Sequence, residues 1–283
     1  MIQKHIPVLL NAVMHELGDL HDRTVLDATF GAGGYTRTFL DAGANVVAFD
    51  RDPNVVSDVN DIKQKFGDKF NFIAQPFSAM TDLDAKFDAI VFDLGISSMQ
   101  IDIPERGFSF RSDAPLDMRM SGIGLTAAEL IAKSSSADLA KILRDYGDVK
   151  KATVLANAMI QAKPTTTFEL RDLIYNPRDI APVFQALRIA VNDELGEIQR
   201  ALAAVPNLLN PGGKCLVVTF HSIEDRIVKN IFRDWTNVPG NPRMPVVENA
   251  PFSLIRAVVP TDAELQNNPR ARSAHMRGVQ KSY

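Results

Sequence analysis

The sequence predicts an α/β fold with a largely parallel sheet, interrupted by a small all-helical insertion. Three observations predict it. Four short apolar runs in the first third end at polar or glycine residues, with helix-like segments between the first three, which is the pattern of successive βα units. From about Ser109 to about Pro206 helix starts replace strand signals, and a β-branched run at Lys214 to Phe220 then resumes the sheet.

The four early strands are expected at Thr24 to Ala28, Asn45 to Phe49, Phe70 to Ala74 and Phe87 to Phe92. In the interruption, Thr126 with Glu129 and Thr166 with Glu169 both have the spacing of a capping box and mark helix N-termini. Phe184, Leu187, Val191, Leu195, Ile198, Leu202 and Val205 then recur at three- and four-residue steps, which predicts one long helix laid along the sheet. The turn Asn210-Pro211-Gly212-Gly213 is expected to stop the chain before the strand at Lys214. The expected division is therefore a discontinuous α/β domain, 1–108 with 184–283, and a helical inserted domain, 109–183. Pro239, Pro242, Pro245 and Pro251 predict a loop after Trp235.

The 283 residues, 46% of them hydrophobic and 23% charged, suffice for a substantial core. A net charge of -3 argues against a protein that grips nucleic acid through a broad positive field. Locally, Gln266 to Tyr283 holds Arg270, Arg272, His275, Arg277 and Lys281 with no acid, and reads either as a phosphate-contacting patch or as a solvated basic tail. The first twenty residues lack the basic start and apolar run of a signal peptide, and no stretch reaches the roughly 20 apolar residues of a membrane span. The single cysteine, Cys215, rules out a disulfide within the chain, and a cytoplasmic location is expected.

Three stretches could carry chemistry. In the first, Val25-Leu26-Asp27-Ala28-Thr29-Phe30-Gly31-Ala32-Gly33-Gly34, a strand runs into a glycine-rich turn and then a helix, so a ligand can approach the backbone and meet unpaired N–H groups. Asp50, at the end of the second strand, is placed to accept hydrogen bonds from ribose hydroxyls. A Rossmann dinucleotide fingerprint would need its third glycine where Thr36 stands, whereas Asp27 four positions before Gly31 resembles the first motif of class I methyltransferases; a purely structural tight turn is the alternative. In the second, Phe92-Asp93-Leu94-Gly95-Ile96-Ser97-Ser98, Asp93 sits where open α/β sheets bind ligands, and either contacts a ligand or caps its turn. The third, Thr219-Phe220-His221-Ser222-Ile223-Glu224-Asp225-Arg226, lacks the G-x-S-x-G elbow of a hydrolase and the cysteine partners of a zinc site, and no metal is expected.

Several long stretches together resemble one family, the bacterial 16S rRNA (cytosine-N4) methyltransferases and their mitochondrial relatives. They are HIPVLL (5–10), DATFGAGG (27–34), FDRDP (49–53), FDLGISS (92–98), ERGFSFR (105–111), PLDMRM (115–120), FQALRIAVNDEL (184–195), FHSIEDRIVK (220–229) and NPRARSA (268–274), and they run in family order from end to end. The resemblance implies a class I Rossmann-like methyltransferase domain with a helical inserted domain, S-adenosylmethionine as cofactor, and a cytidine in the decoding centre of the small ribosomal subunit as acceptor. The substrate would be small-subunit rRNA or the 30S particle. A homodimer is compatible with it.

Residue by residue, the resemblance implies Gly33, Gly34 and Tyr35 on the methionine part of the cofactor, Asp50 on the ribose, Phe77 beside the adenine, and Asp93 and Gln100 closing the pocket. Tyr35 stands where the family has His, and Arg178-Asp179-Ile180-Ala181-Pro182 where it has a His-Pro-Ala-Thr stretch. Asp93 and Asp117 are the expected catalytic residues, as acceptors for the amine hydrogens of cytosine N4; for Asp117 the alternative is an ion pair with Arg119 between the domains. Rival functions are methylation of a DNA or other RNA amine, and a ribosome-assembly or RNA-binding protein without turnover.

Overall fold

The computed structural model describes residues 7–237 and 250–283. Two compact units divide the chain, Met1–Gly95 with Glu197–Tyr283, and Ile96–Gly196. Along the first unit run α1 (Leu10–Leu17), β1 (Thr24–Asp27), α2 (Gly34–Asp41), β2 (Asn45–Phe49), α3 (Val56–Phe66), β3 (Phe70–Ile73) and β4 (Phe87–Asp93). The second unit holds α4 (Ser98–Asp102), α5 (Ala127–Lys133), α6 (Ser136–Gly147), α7 (Ala152–Ala162), α8 (Thr167–Asp172) and α9 (Ile180–Asn192). After α10 (Glu194–Leu208), the chain completes the first unit with β5 (Leu209–Thr219), α11 (Ser222–Thr236), β6 (Phe252–Val258), α12 (Asp262–Asn267) and β7 (His275–Lys281).

The sheet order is β3-β2-β1-β4-β5-β7-β6. Strands β1 to β5 pair in parallel, and β7 is antiparallel to both neighbours. Burial of Val25 and Leu26, of Ile90 to Phe92 and of Cys215 to Val218 explains why these strands read as unbroken apolar runs rather than alternating ones. From β1 the chain moves outward through β2 to β3, then returns to β4 on the other side of β1. The carboxyl ends of β1 and β4 therefore border the crevice at which such sheets bind ligands.

Both predicted capping boxes are present: Thr126 and Glu129 cap α5, and Thr166 and Glu169 cap α8. Three expectations are corrected. The predicted single long helix is two, because Asp193 adopts a left-handed conformation (φ 48°) between α9 and α10. The apolar stripe continues across the break, but α9 packs against α6 and its Phe184 and Leu187 join the core of the helical unit. That unit accordingly spans 96–196 by its packing, where the sequence placed 109–183. The Asn210 to Gly213 turn lies inside β5 as an irregularity, with Gly212 at φ 75° and a register shift opposite Phe87 and Ala89. The basic stretch 266–283 is not a solvated tail: β7 inserts into the sheet, Met276 and Val279 are buried, and Arg277 forms a two-pronged ion pair with Asp225 (2.6 and 2.8 Å).

Of the predicted loop after Trp235, Pro239, Pro242 and Pro245 lie outside the described residues. Pro251 directly precedes β6. Among the described residues no helix is long and apolar enough to cross a membrane. Cys215 is buried, and burial pushes its thiol far up, as expected of an inert core cysteine.

Candidate active site

The turn after β1 is closed by Gly33 N–H donating to the Phe30 carbonyl (2.7 Å) and is tied to β2 by Phe30 N–H on the Phe49 carbonyl (2.9 Å). Gly31 and Gly33 hold positive φ, 54° and 74°. A Cβ on Gly33 would lie 2.7 Å from Ile62 Cδ1 and 3.0 Å from Phe30 Cζ, and one on Gly34 would overlap Pro7. These glycines bring the backbone to the start of α2, where amide groups face outward from the helix N-terminus.

Three carboxyls gather at the carboxyl ends of β1, β2 and β4. Asp27 is fully buried; it accepts from Thr36 Oγ1 (2.6 Å) and Thr29 N–H (3.1 Å). Asp50 accepts from the amides of Gly31 and Asp52, both at 2.8 Å, and so ties the glycine turn to the end of β2. Asp93 is partly accessible as a residue, yet its Oδ1 is sealed from solvent and has no hydrogen-bond partner among the described residues. Its own N–H donates to Thr29 Oγ1 (2.6 Å), which locks the end of β4 to the turn after β1.

Burial pushes Asp27 and Asp50 up to about 6, against the hydrogen bonds that favour their ionised forms. Burial, then the negative charges of Asp27 and Glu224, hold Asp93 well above the ordinary carboxylate range. No lysine or arginine among the described residues hydrogen-bonds or pairs with any of the three. The result is a cluster of buried carboxyls with which no described lysine or arginine pairs. It suits a positively charged ligand and repels a pyrophosphate.

The remaining expected site residues fall as follows. The Phe77 ring packs edge-on to Phe92 (5.8 Å between centroids) in the same unit as the carboxyls. Tyr35 is buried on α2, lies tilted against Phe39, and donates its hydroxyl to the Val8 carbonyl, so it anchors the chain before α1. Burial raises its phenol well above the usual value and keeps it neutral. Gln100 and Asp117 belong to the helical unit. The Gln100 side-chain oxygen accepts from Ser97 N–H (3.0 Å) and completes a capping box on α4. Asp117 is held by Arg119 through two side-chain bonds (2.8 and 2.7 Å) and a backbone one (2.9 Å), so the ion pair lies within the helical unit rather than between the domains. These contacts with Arg119 outweigh burial and hold the Asp117 carboxyl below its ordinary value.

Sequence reasoning missed three features. Thr36, which stands where a dinucleotide fingerprint would carry its third glycine, serves as the hydroxyl partner of Asp27. Asn192 clamps the PLDMRM segment, accepting from Met120 N–H (2.8 Å) and donating to the Met118 carbonyl (2.7 Å), with Met118 at φ 63°. His221 and Glu224 form a capping box at the start of α11. Their three-residue spacing is that of S-x-x-E with His in place of Ser, a signal open to reading from sequence.

A sheet that reverses its strand order beside buried carboxyls at its strand ends has the arrangement in which α/β enzymes bind nucleotide-like ligands. The MraW methylase family model matches residues 2–282, and the chain belongs to that family. A relative named ribosomal RNA small subunit methyltransferase H from Mesorhizobium japonicum is 45% identical over 294 residues, covering 98% of this chain and 87% of the relative. A protein of the same name from Rickettsia massiliae is 40% identical and covered in full, as is this chain. Among solved structures, a putative rRNA-methylase from Clostridium thermocellum aligns over 98% of this chain and 99% of that chain at 13% identity with a TM-score of 0.48, a distant likeness in chain path.

Proposed function

We propose that this chain transfers a methyl group from S-adenosylmethionine to the exocyclic N4 amine of a cytidine in the decoding centre of small-subunit ribosomal RNA. The observation that carries the reading is the cluster of buried carboxyls at Asp27, Asp50 and Asp93, with which no described lysine or arginine pairs. A sulfonium cofactor complements it, whereas a dinucleotide would bring phosphates against it. Family membership and the names of the relatives support the small-subunit rRNA acceptor.

The α/β unit acts as the cofactor domain and the helical unit as an inserted domain. Asp50 has acceptor positions beyond its two amide bonds for ribose hydroxyls. Gly33 in the turn and Gly34 and Tyr35 at the start of α2 run along the methionine part, and Phe77 lies beside the adenine. When bound, the cofactor supplies an electrophilic methyl group.

Cytosine N4 is a weak nucleophile because its lone pair is delocalised into the ring. Asp93 meets this by accepting a hydrogen bond from the amine, which orients it and raises its electron density. The raised proton affinity of Asp93 suits it to take the proton that N4 releases. Asp117, saturated by Arg119, positions its loop and stands as the secondary candidate for base contact. Location is cytoplasmic, where ribosomal subunits are assembled in bacteria. An acidic chain reads such a folded RNA through shape and local contacts rather than a broad basic field.

The test offers labelled cofactor with 30S particles, naked small-subunit rRNA and DNA. Transfer to small-subunit rRNA, free or in the particle, is expected. Transfer only to DNA would overturn the acceptor, and cofactor binding with no transfer to any substrate would favour an assembly protein without turnover.

A further inference from the structure

The basic stretch 266–283 is built into the sheet, yet part of its charge is left over. β7 runs antiparallel to β5, so its first residue, His275, stands opposite Thr219 at the carboxyl edge of the parallel strands. The first turn of α11 closes on the same point: Asp225 is 3.4 Å from Thr219 Oγ1, 3.8 Å from His275 Nδ1, and in the two-pronged pair with Arg277. Hydrogen bonds from Arg277 outweigh burial and hold the Asp225 carboxyl below its ordinary value, so one ionised acid is matched by one guanidinium. The other acid of that turn, Glu224, is buried.

Around this matched pair stand cations that are not matched. Arg226, next to Asp225 on α11, and Arg272, three residues before His275, are exposed and have no side-chain partner among the described residues. Ala271 and Ala274, both fully buried, pin the short turn Pro269–Ser273 and leave Arg272 on its outside. Lys229, three residues beyond Arg226 and on the same face of α11, is likewise exposed and unpaired among the described residues. The place of this patch is informative. Asp93, Val218 and Met276 lie side by side across β4, β5 and β7, so the start of β7 is two strand spacings, about 10 Å, from Asp93 along one edge of one unit. An RNA strand that delivers a base to Asp93 must carry its phosphates past neighbouring parts of that edge.

We propose that Arg226 and Arg272, with Lys229 beside them, bind backbone phosphates of the RNA strand whose base enters at Asp93. This rests on the reading that a ribosomal RNA base is methylated, and adds to it the place where the strand is gripped. Guanidinium groups suit phosphate because their N–H donors form a planar fork that matches its oxygens. A few such contacts gathered at one edge let a chain of net charge -3 hold RNA without a broad positive field.

The test compares the double variant Arg226→Gln with Arg272→Gln against wild type. Cofactor affinity, thermal melting, kcat and KM on 30S particles, and filter binding to protein-free small-subunit rRNA are measured between about 50 and 200 mM salt. Lys69→Gln is the control, because Lys69 is exposed at the amino end of β3, on the opposite edge of the sheet. Expected for the double variant are wild-type melting, cofactor affinity and kcat, with KM and the rRNA dissociation constant raised about ten- to a hundredfold at the lowest salt. The dependence of log KM on log salt should become shallower by about 0.7 for each arginine removed. Lys69→Gln should behave as wild type. A wild-type KM and salt slope in the double variant overturn the proposal, as does a raised KM with an unchanged slope, or an equal effect from Lys69→Gln. A rise on particles with unchanged binding to protein-free rRNA overturns it too, and assigns the patch to a ribosomal protein. A wild-type enzyme silent on every ribosomal substrate overturns the methyl-transfer reading, whereas wild-type transfer with an unaffected double variant overturns this inference alone.

Discussion

Replacing Asp93 by Asn should make the protein more stable and less active at once. The amide has nearly the shape of the carboxylate, and the main-chain bond from residue 93 to Thr29 Oγ1 is untouched, so the turn geometry survives. What disappears is a buried negative charge whose Oδ1 has no partner and which faces the charges of Asp27 and Glu224. The amide keeps an unpaired Oδ1, so the gain comes from the lost charge alone, on the order of 1–3 kcal/mol at about 1.4 kcal/mol for each tenfold change in proton affinity. Asp93 holds its proton more tightly folded than unfolded. Wild-type stability therefore falls as pH rises from the ordinary carboxylate value of 3.8 through the raised folded value, and Asn escapes this loss. Denaturant unfolding at pH 8 should show Asp93→Asn more stable by about 1–3 kcal/mol, with the difference shrinking towards pH 4. Methyl transfer at pH 8 should drop by about a hundredfold or more. Lower stability than wild type at pH 8, or undiminished transfer, would refute the assignment of Asp93 as a buried, charge-strained acceptor.

Gly33→Ala forces a side chain into φ 74° and into contact with Ile62 and Phe30, which together should destabilise by about 2–4 kcal/mol; calorimetric melting and cofactor titration read the effect, and wild-type values of both would contradict the close-approach role. Because Asp50 is pushed up to about 6, its ionised, ribose-binding form should decline below that pH, and cofactor affinity should weaken between pH 7.5 and 5 in the wild type but not in Asp50→Asn. Isothermal titration at both pH values decides it. Asn192→Ala strands the Met120 N–H and the Met118 carbonyl and should cost about 2–5 kcal/mol, seen as faster hydrogen exchange across residues 115–120; unchanged exchange would show the clamp to be idle.

The parallel strands were legible because burial on both faces leaves an uninterrupted apolar run at Ile90 to Phe92 and at Cys215 to Val218, a signal that needs no knowledge of neighbours. The β7 strand was not. His275 is exposed, Arg277 is half-buried with its guanidinium drawn to Asp225, and only Met276 and Val279 betray the buried face, so charge masked the period. The break at Asp193 was invisible for another reason: periodicity records which residues are apolar, and the stripe continues through a left-handed residue that turns its two halves onto different cores. In the site, the glycine turn and Asp50 were readable as local motifs. The convergence of Asp27, Asp50 and Asp93 required the strand order, and the pairing of Asp117 with Arg119 within one unit required the fold of its loop.

The most direct measurement is nucleoside mass spectrometry of small-subunit rRNA after incubation of 30S particles with the purified protein and S-adenosylmethionine carrying a labelled methyl group. The label is expected in N4-methylated cytidine at a single decoding-centre nucleotide, and to be lost with Asp93→Asn. Label on a ring carbon, on a ribose or on another base, or no label at all, would contradict methyl transfer to cytidine N4.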